Sequence, residues 1–207
     1  MKVKICGLTR EEDAVFAAER GADFLGMIFV AASPRLIDVA RASSIARAVV
    51  GSRSKLVGVF RDSPPAEVRD IAQRVGLDFV QLHGSESDAE IVEIGVPVIK
   101  TFMVGETAPD TTKHPHAQWI LFDSGGGGTG RRFDWSLLAT FGREKPFLLA
   151  GGITPDNVAA AISLVRPDAI DVASGVESSP GIKDHTKIER LIERARRREG
   201  AEARRYE

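Results

Sequence analysis

Short apolar runs rich in Val, Ile, Leu and Phe alternate along the chain with longer stretches in which apolar positions recur every three to four residues. The first pattern is that of half-buried or fully buried strands, the second that of amphipathic helices. It predicts strands near 2–6, 24–29, 55–60, 78–82, 97–101, 118–122, 147–150 and 169–173. Helical patterns run from Glu11 to Arg20, Asp38 to Val50, Pro65 to Val75 and Pro155 to Val165, each stopping at or near a glycine or proline. A unit recurs: helix, then Gly21-Ala22-Asp23 or Gly76-Leu77-Asp78, then strand, with Arg166-Pro167-Asp168 in the same place before the last strand. Between Phe102 and Pro115 the helical pattern fades, so helix five should be short or missing.

Eight alternating units predict an α/β chain closed into a (β/α)8 TIM barrel, and 207 residues sit at the compact end of that fold's range, which begins near about 200 residues. The expectation is one barrel domain over 1–207 with a charged C-terminal tail from about 196. A doubly wound open sheet competes, but it needs fewer strands and places a Gly-rich phosphate loop after the first one. Here that turn is Cys6-Gly7-Leu8-Thr9, without the G-x-G-x-x-G spacing. The glycine-rich turns lie instead at the far end, in Gly151-Gly152-Ile153-Thr154-Pro155-Asp156-Asn157 and Asp171-Val172-Ala173-Ser174-Gly175-Val176-Glu177. Backbone N–H groups in such turns can face an anion, and the loops after barrel strands seven and eight commonly hold a substrate phosphate.

A net charge of −1 offers no field to draw nucleic acid or an anionic membrane, so the expected partner is a phosphorylated small molecule. Residues 190–207 hold seven arginines against four glutamates, read as a solvated last helix that frays after Gly200, since no aromatic platform accompanies them. The lone Cys6, a start without the apolar core of a secretory signal and the lack of a membrane-length apolar run favour a cytoplasmic protein, monomeric or homodimeric.

Strand alternation sends Val3 and Ile5 to one face and Lys2, Lys4 and Cys6 to the other. As helices cover the outside of a barrel, the polar set points inward, which places the Cys6 sulfur at the C-terminal mouth. The same alternation turns Gln81 and His83 inward and brings Asp123 and Asp171 to the mouth. Ionisable groups converging on one rim are costly unless they serve a ligand. Taken singly, each has a plainer reading: Cys6 as a small buried hydrophobe, His83 as a structural histidine, Asp123 as a brace for the loop of Ser124 and Gly125 to Gly130. Four consecutive glycines point to a mobile flap beside the site. His114-Pro115-His116 lacks acidic or thiol companions, so no metal site is expected.

In order along the chain stand Lys4-Ile5-Cys6-Gly7-Leu8-Thr9, Ser33-Pro34-Arg35, Val57-Gly58-Val59-Phe60, Gln81-Leu82-His83-Gly84, Asp123 with Gly127-Gly128-Thr129-Gly130 and Phe133-Asp134-Trp135, Gly151-Gly152, and the Asp171 to Glu177 stretch. Together, from Lys2 to about Ala195, they resemble the phosphoribosylanthranilate isomerase family of tryptophan biosynthesis. The resemblance implies a cofactor-free Amadori rearrangement of N-(5-phosphoribosyl)anthranilate to 1-(2-carboxyphenylamino)-1-deoxyribulose 5-phosphate. It further implies Asp123 as general acid on the ring oxygen and Cys6 as general base at the sugar C2.

An acid role near neutrality asks burial or ligand charge to raise Asp123 from the ordinary carboxylate value of about 3.9, and a base role asks Cys6 to be a thiolate, which a nearby Lys4 would favour. Lys4 could equally pair with an interior carboxylate. Arg35 can form a bidentate pair with the anthranilate carboxylate, and Asp171 resembles the family position that contacts the substrate's amino nitrogen or sugar hydroxyls. The candidate set is Cys6 and Asp123 as catalytic residues, Lys4, Arg35, Gln81, His83 and Asp171 as substrate-binding, and Gly151, Gly152, Ser174 and Gly175 as phosphate-binding. Leu36, where the family often carries an aromatic residue, and Ala173, where it frequently carries serine, depart from the pattern. The competing functions are another sugar-phosphate isomerase or epimerase on the same barrel, and a catalytically silent sensor of a phosphorylated ligand.

Overall fold

The computed structural model describes residues 1–105, 109–124, 134–138 and 144–203. Eight parallel strands close into a barrel in sequence order: β1 (Lys2–Ile5), β2 (Phe24–Ile28), β3 (Lys55–Phe60), β4 (Phe79–Leu82), β5 (Val98–Met103), β6 (Trp119–Asp123), β7 (Phe147–Leu149) and β8 (Ala169–Val172). The closing pair, β8 with β1, sets Lys4 beside Asp171. Helices α1 (Glu11–Glu19), α2 (Val39–Ala48), α3 (Pro65–Val75), α4 (Asp88–Ile94), α5 (Val158–Val165) and α6 (His185–Ala203) surround it. A short hairpin of β9 (Glu177–Ser179) and β10 (Ile182–Lys183) follows β8.

Among the described residues no helix stands between β5 and β6, as the weak pattern there predicts. Helix α4 has a sequence signal that the periodicity alone does not register. Ser87 accepts from the Glu90 backbone N–H while the Glu90 carboxylate accepts from the Ser87 N–H, a capping box that starts so short a helix. Asp38 caps α2 in the same manner, accepting from Arg41 N–H. Helix α5 begins at Val158, three residues after Pro155, because residues 154–157 form a turn in which Thr154 N–H donates to Asn157 Oδ1. Helix α6 continues past Gly200 to Ala203, a correction to the expected fraying point.

The recurring aspartate before alternate strands has a mechanical explanation. Asp23 Oδ2 accepts from Val3 N–H, Asp78 Oδ2 from Leu56 N–H and Asp168 Oδ2 from Phe147 N–H, at 2.9, 2.9 and 3.0 Å. Each carboxylate, entering one strand, thus satisfies a backbone donor on the strand before it. An otherwise orphaned N–H at the barrel's N-terminal rim costs free energy comparable to a lost hydrogen bond, so the repeat helps pin the register.

Outward residues such as Val3, Ile5, Leu25, Met27 and Ile170 are fully buried under the helices. The inside is divided. Phe24, Val57, Ile99, Leu121, Leu148 and Ala169 fill the lower barrel with Phe79 and Trp119 packed against them. Toward the strand C-termini the inward positions become Lys4, Gln81, Asp123 and Asp171, all buried. A core is thereby completed at one end and left chemically active at the other. No helix among the described residues is long and apolar enough to cross a membrane.

Candidate active site

A cavity of about 210 Å³ opens at the C-terminal mouth. Cys6, Arg35, Gln81, His83, Asp123, Gly151, Gly152, Asp171, Ser174 and Gly175 all line it, so ten of the eleven candidates converge on one space. Lys4 is the exception. It is wholly buried and spends its ammonium on Cys6 Sγ (3.1 Å), Gln81 Oε1 (2.7 Å) and Asp171 Oδ1 (3.0 Å), so both roles left open for it coexist.

Cys6 lies one residue beyond β1, yet its N–H still donates to Val172 O at 2.9 Å, which continues the strand and turns the thiol inward. Its room is made by Gly26, where a Cβ atom would stand 2.7 Å from Sγ. Sequence reasoning passed over Gly26, and its only signal was a glycine at an inward strand position. Lys4 is close enough to favour the thiolate, but the thiol's burial works against it. Burial pushes the Cys6 pKa up, Lys4 draws it down by less, and the Asp171 charge adds to the rise. Burial likewise raises Asp171 against the pull of Lys4, while Lys4 keeps its charge because Asp171 and Cys6 together outweigh its desolvation.

Asp123 is the last residue of β6, its Oδ1 accepting from Ser124 N–H at 2.7 Å. His83 Nε2 stands 3.5 Å from the other oxygen, Oδ2. The glycine segment Gly125 to Gly130, with Phe133, lies outside the described residues.

Arg35 reaches the cavity from the loop after β2, but its guanidinium is held from behind. Nε and Nη2 donate to the two oxygens of Glu177 at 2.8 and 2.7 Å, and Lys183 Nζ donates to Glu177 Oε1 at 2.8 Å. Burial works against the Glu177 carboxylate, yet the two cations outweigh it and hold its pKa below the usual range. Among the described side chains this cluster sets two cations around one carboxylate. Neither Glu177 nor Lys183 was picked out as functional from the sequence, because residues 142 positions apart give no pairing signal.

The two phosphate-loop candidates touch at Gly175, where a Cβ would stand 1.9 Å from Ile153 O. Gly151 and Gly152 adopt left-handed conformations, φ +87° and +68°, and Asn157 Nδ2 donates to Gly152 O to brace the turn. Gly175→Ala should therefore force the loops apart. We expect the variant to melt at a lower temperature than the unaltered protein, read by thermal denaturation, because backbone must move to clear the added carbon.

The model of the N-(5'phosphoribosyl)anthranilate (PRA) isomerase family matches residues 3–194. The chain belongs to this family. An N-(5'-phosphoribosyl)anthranilate isomerase from Neisseria gonorrhoeae is 43% identical over 205 residues, covering 95% of this chain and 97% of the relative. The crystal structure of phosphoribosyl anthranilate isomerase from Thermus thermophilus superposes with a TM-score of 0.86 at 40% identity, covering 94% of this chain and 98% of that one. A second member was solved in complex with reduced 1-(o-carboxyphenylamino)-1-deoxyribulose 5-phosphate. It has a TM-score of 0.81 and 38% identity, with 94% and 98% coverage. The fold that the PRA isomerase family implies is the barrel described above.

Proposed function

We propose that this cavity converts N-(5-phosphoribosyl)anthranilate to 1-(2-carboxyphenylamino)-1-deoxyribulose 5-phosphate, with Asp123 as general acid and Cys6 as general base, in tryptophan biosynthesis. The observation that carries this reading is the meeting of Cys6 and Asp123 in one cavity with Arg35 and both phosphate-loop candidates. Asp123 gives a proton to the furanose oxygen as the C1–O bond breaks and the anthranilate nitrogen lone pair forms the C1=N bond. Cys6 then removes the C2 proton, and the resulting enolamine takes a proton at C1 as its enol becomes the ketone. The phosphoryl end rests on Gly151, Gly152, Ser174 and Gly175, the aryl carboxylate on Arg35, and Asp171 meets the amino nitrogen or sugar hydroxyls. The bound analogue of the related structure carries the same two anionic ends, a carboxylate and a phosphate. Neither the acid nor the base needs a cofactor, and the address is cytoplasmic, with a monomer or homodimer as the working form.

Loss of phosphoribosylanthranilate fluorescence, followed with purified protein and no added metal or nucleotide, tests the reading. Folded protein without turnover would overturn it. Another sugar-phosphate isomerase would have no use for the aryl-carboxylate clamp, and a silent sensor would bind without forming product.

The pH profile follows from the Cys6 environment. A base must be deprotonated to act, and burial raises the thiol, so kcat/KM should rise with pH along a limb lying above the ordinary thiol range. Lys4→Met removes the cation that draws the thiol down and leaves the Asp171 charge, so it should move that limb to still higher pH. Iodoacetamide alkylation of Cys6 should show the same displacement.

A further inference from the structure

Lys4, Gln81 and His83 form a file of polar groups between the base and the acid, and their chemistry fixes its direction. An ammonium can only donate, so the Gln81 amide must turn its oxygen to Lys4 Nζ, 2.7 Å away. That leaves Gln81 Nε2 facing His83 Nδ1 at 3.4 Å. An amide nitrogen can only donate as well, so Nδ1 must carry the lone pair. Burial lowers the His83 pKa. Of the charges facing the ring, Asp123 on β6 and Asp171 on β8 favour its protonation, while Lys4 on β1 and Arg61 after β3 oppose it. The ring is therefore neutral near neutrality, and with Nδ1 as acceptor its one proton sits on Nε2. That atom is buried without a hydrogen-bond partner among the described residues, and it stands 3.5 Å from Asp123 Oδ2.

We propose that Lys4 and Gln81 lock His83 in its Nε2–H tautomer, so that His83 serves as a positioning residue that donates to the Asp123 carboxylate once Asp123 has protonated the substrate. While Oδ2 holds the proton it will give to the substrate, it is a weak, neutral acceptor toward Nε2–H. Proton transfer to the ring oxygen turns that contact into a charge-assisted hydrogen bond, an interaction strengthened only as the reaction proceeds. The Asp123 carboxylate is fixed for this by Ser124 N–H on Oδ1, which leaves Oδ2 as the working oxygen. The inference rests on the acid role assigned to Asp123, but its structural half is testable without turnover.

Long-range ¹H–¹⁵N spectra of the imidazole rings, with His83 assigned by comparison with His83→Ala, read the tautomer directly. A neutral Nε2–H ring at pH 7.5 is the expected result. Gln81→Glu should switch it to Nδ1–H, since a carboxylate accepts from both Lys4 and the ring. In kinetics, His83→Ala should lower kcat by about 10- to 100-fold, the usual worth of a hydrogen bond to a charged group, with KM nearly unchanged. His83→Gln, whose amide nitrogen falls near the Nε2 position, should recover part of the loss. An Nδ1–H or imidazolium ring in the unaltered protein would overturn the proposal, as would a His83→Ala effect confined to KM. Wild-type turnover by Asp123→Asn would instead remove the acid assignment and leave the tautomer standing.

Discussion

Cys6→Ala should lower kcat by about 10²- to 10⁴-fold while the protein stays folded, and Asp123→Asn should do the same. Each substitution deletes one proton-transfer step and little else. Cys6→Ala removes a single buried sulfur beside Gly26 and leaves Lys4 its contacts to Gln81 and Asp171. Asn at 123 keeps the size and one acceptor for Ser124 N–H, so the turn after β6 survives. Binding of the reduced product analogue should persist in both, because Arg35 and the proposed phosphate loops are untouched. Steady-state kinetics beside calorimetric binding and thermal melts make the comparison. Near-normal turnover in either variant would take the catalytic pair away from this site.

Arg35→Met should act on binding and stability together. The proposed clamp on an aryl carboxylate is lost, and a hydrogen bond to a charged group is worth about 1.5–3 kcal/mol, so KM should rise about 10- to 150-fold. Lys cannot restore it, since a compact ammonium does not reproduce the planar fork. The substitution also strips Glu177 of two of its donors. Removing one partner of a buried ion pair costs about 3–5 kcal/mol, and because Lys183 still faces Glu177 at 2.8 Å the loss should fall near the lower end. Urea denaturation measures it. Adding Glu177→Gln should return part of that stability without returning the KM, which separates the structural job of the arginine from its job toward the ligand.

The alternation of Lys4 with Ile5, and of Gln81 with Leu82, was enough to foretell which side chains enter the barrel, since a strand has a period of two and an outer face under helices must be apolar. The Gly-x-Asp repeat was visible too, though not its purpose. Recognising the ordered motifs then singled out Cys6 and Asp123. Helix α4 was missed because seven residues span too few turns for periodicity to speak, and only its capping box announces it.

By itself, then, the sequence determined the eight strands, the inward polar set and the family, because those depend on local period and on the identity of residues at short spacing. Only the tertiary structure decided that Lys4 grips Cys6, Gln81 and Asp171 at once, that Glu177 and Lys183 stand behind Arg35, and that burial pushes the thiol pKa up. These are effects of distance and desolvation between residues far apart in the chain, and neither quantity exists until the barrel has closed.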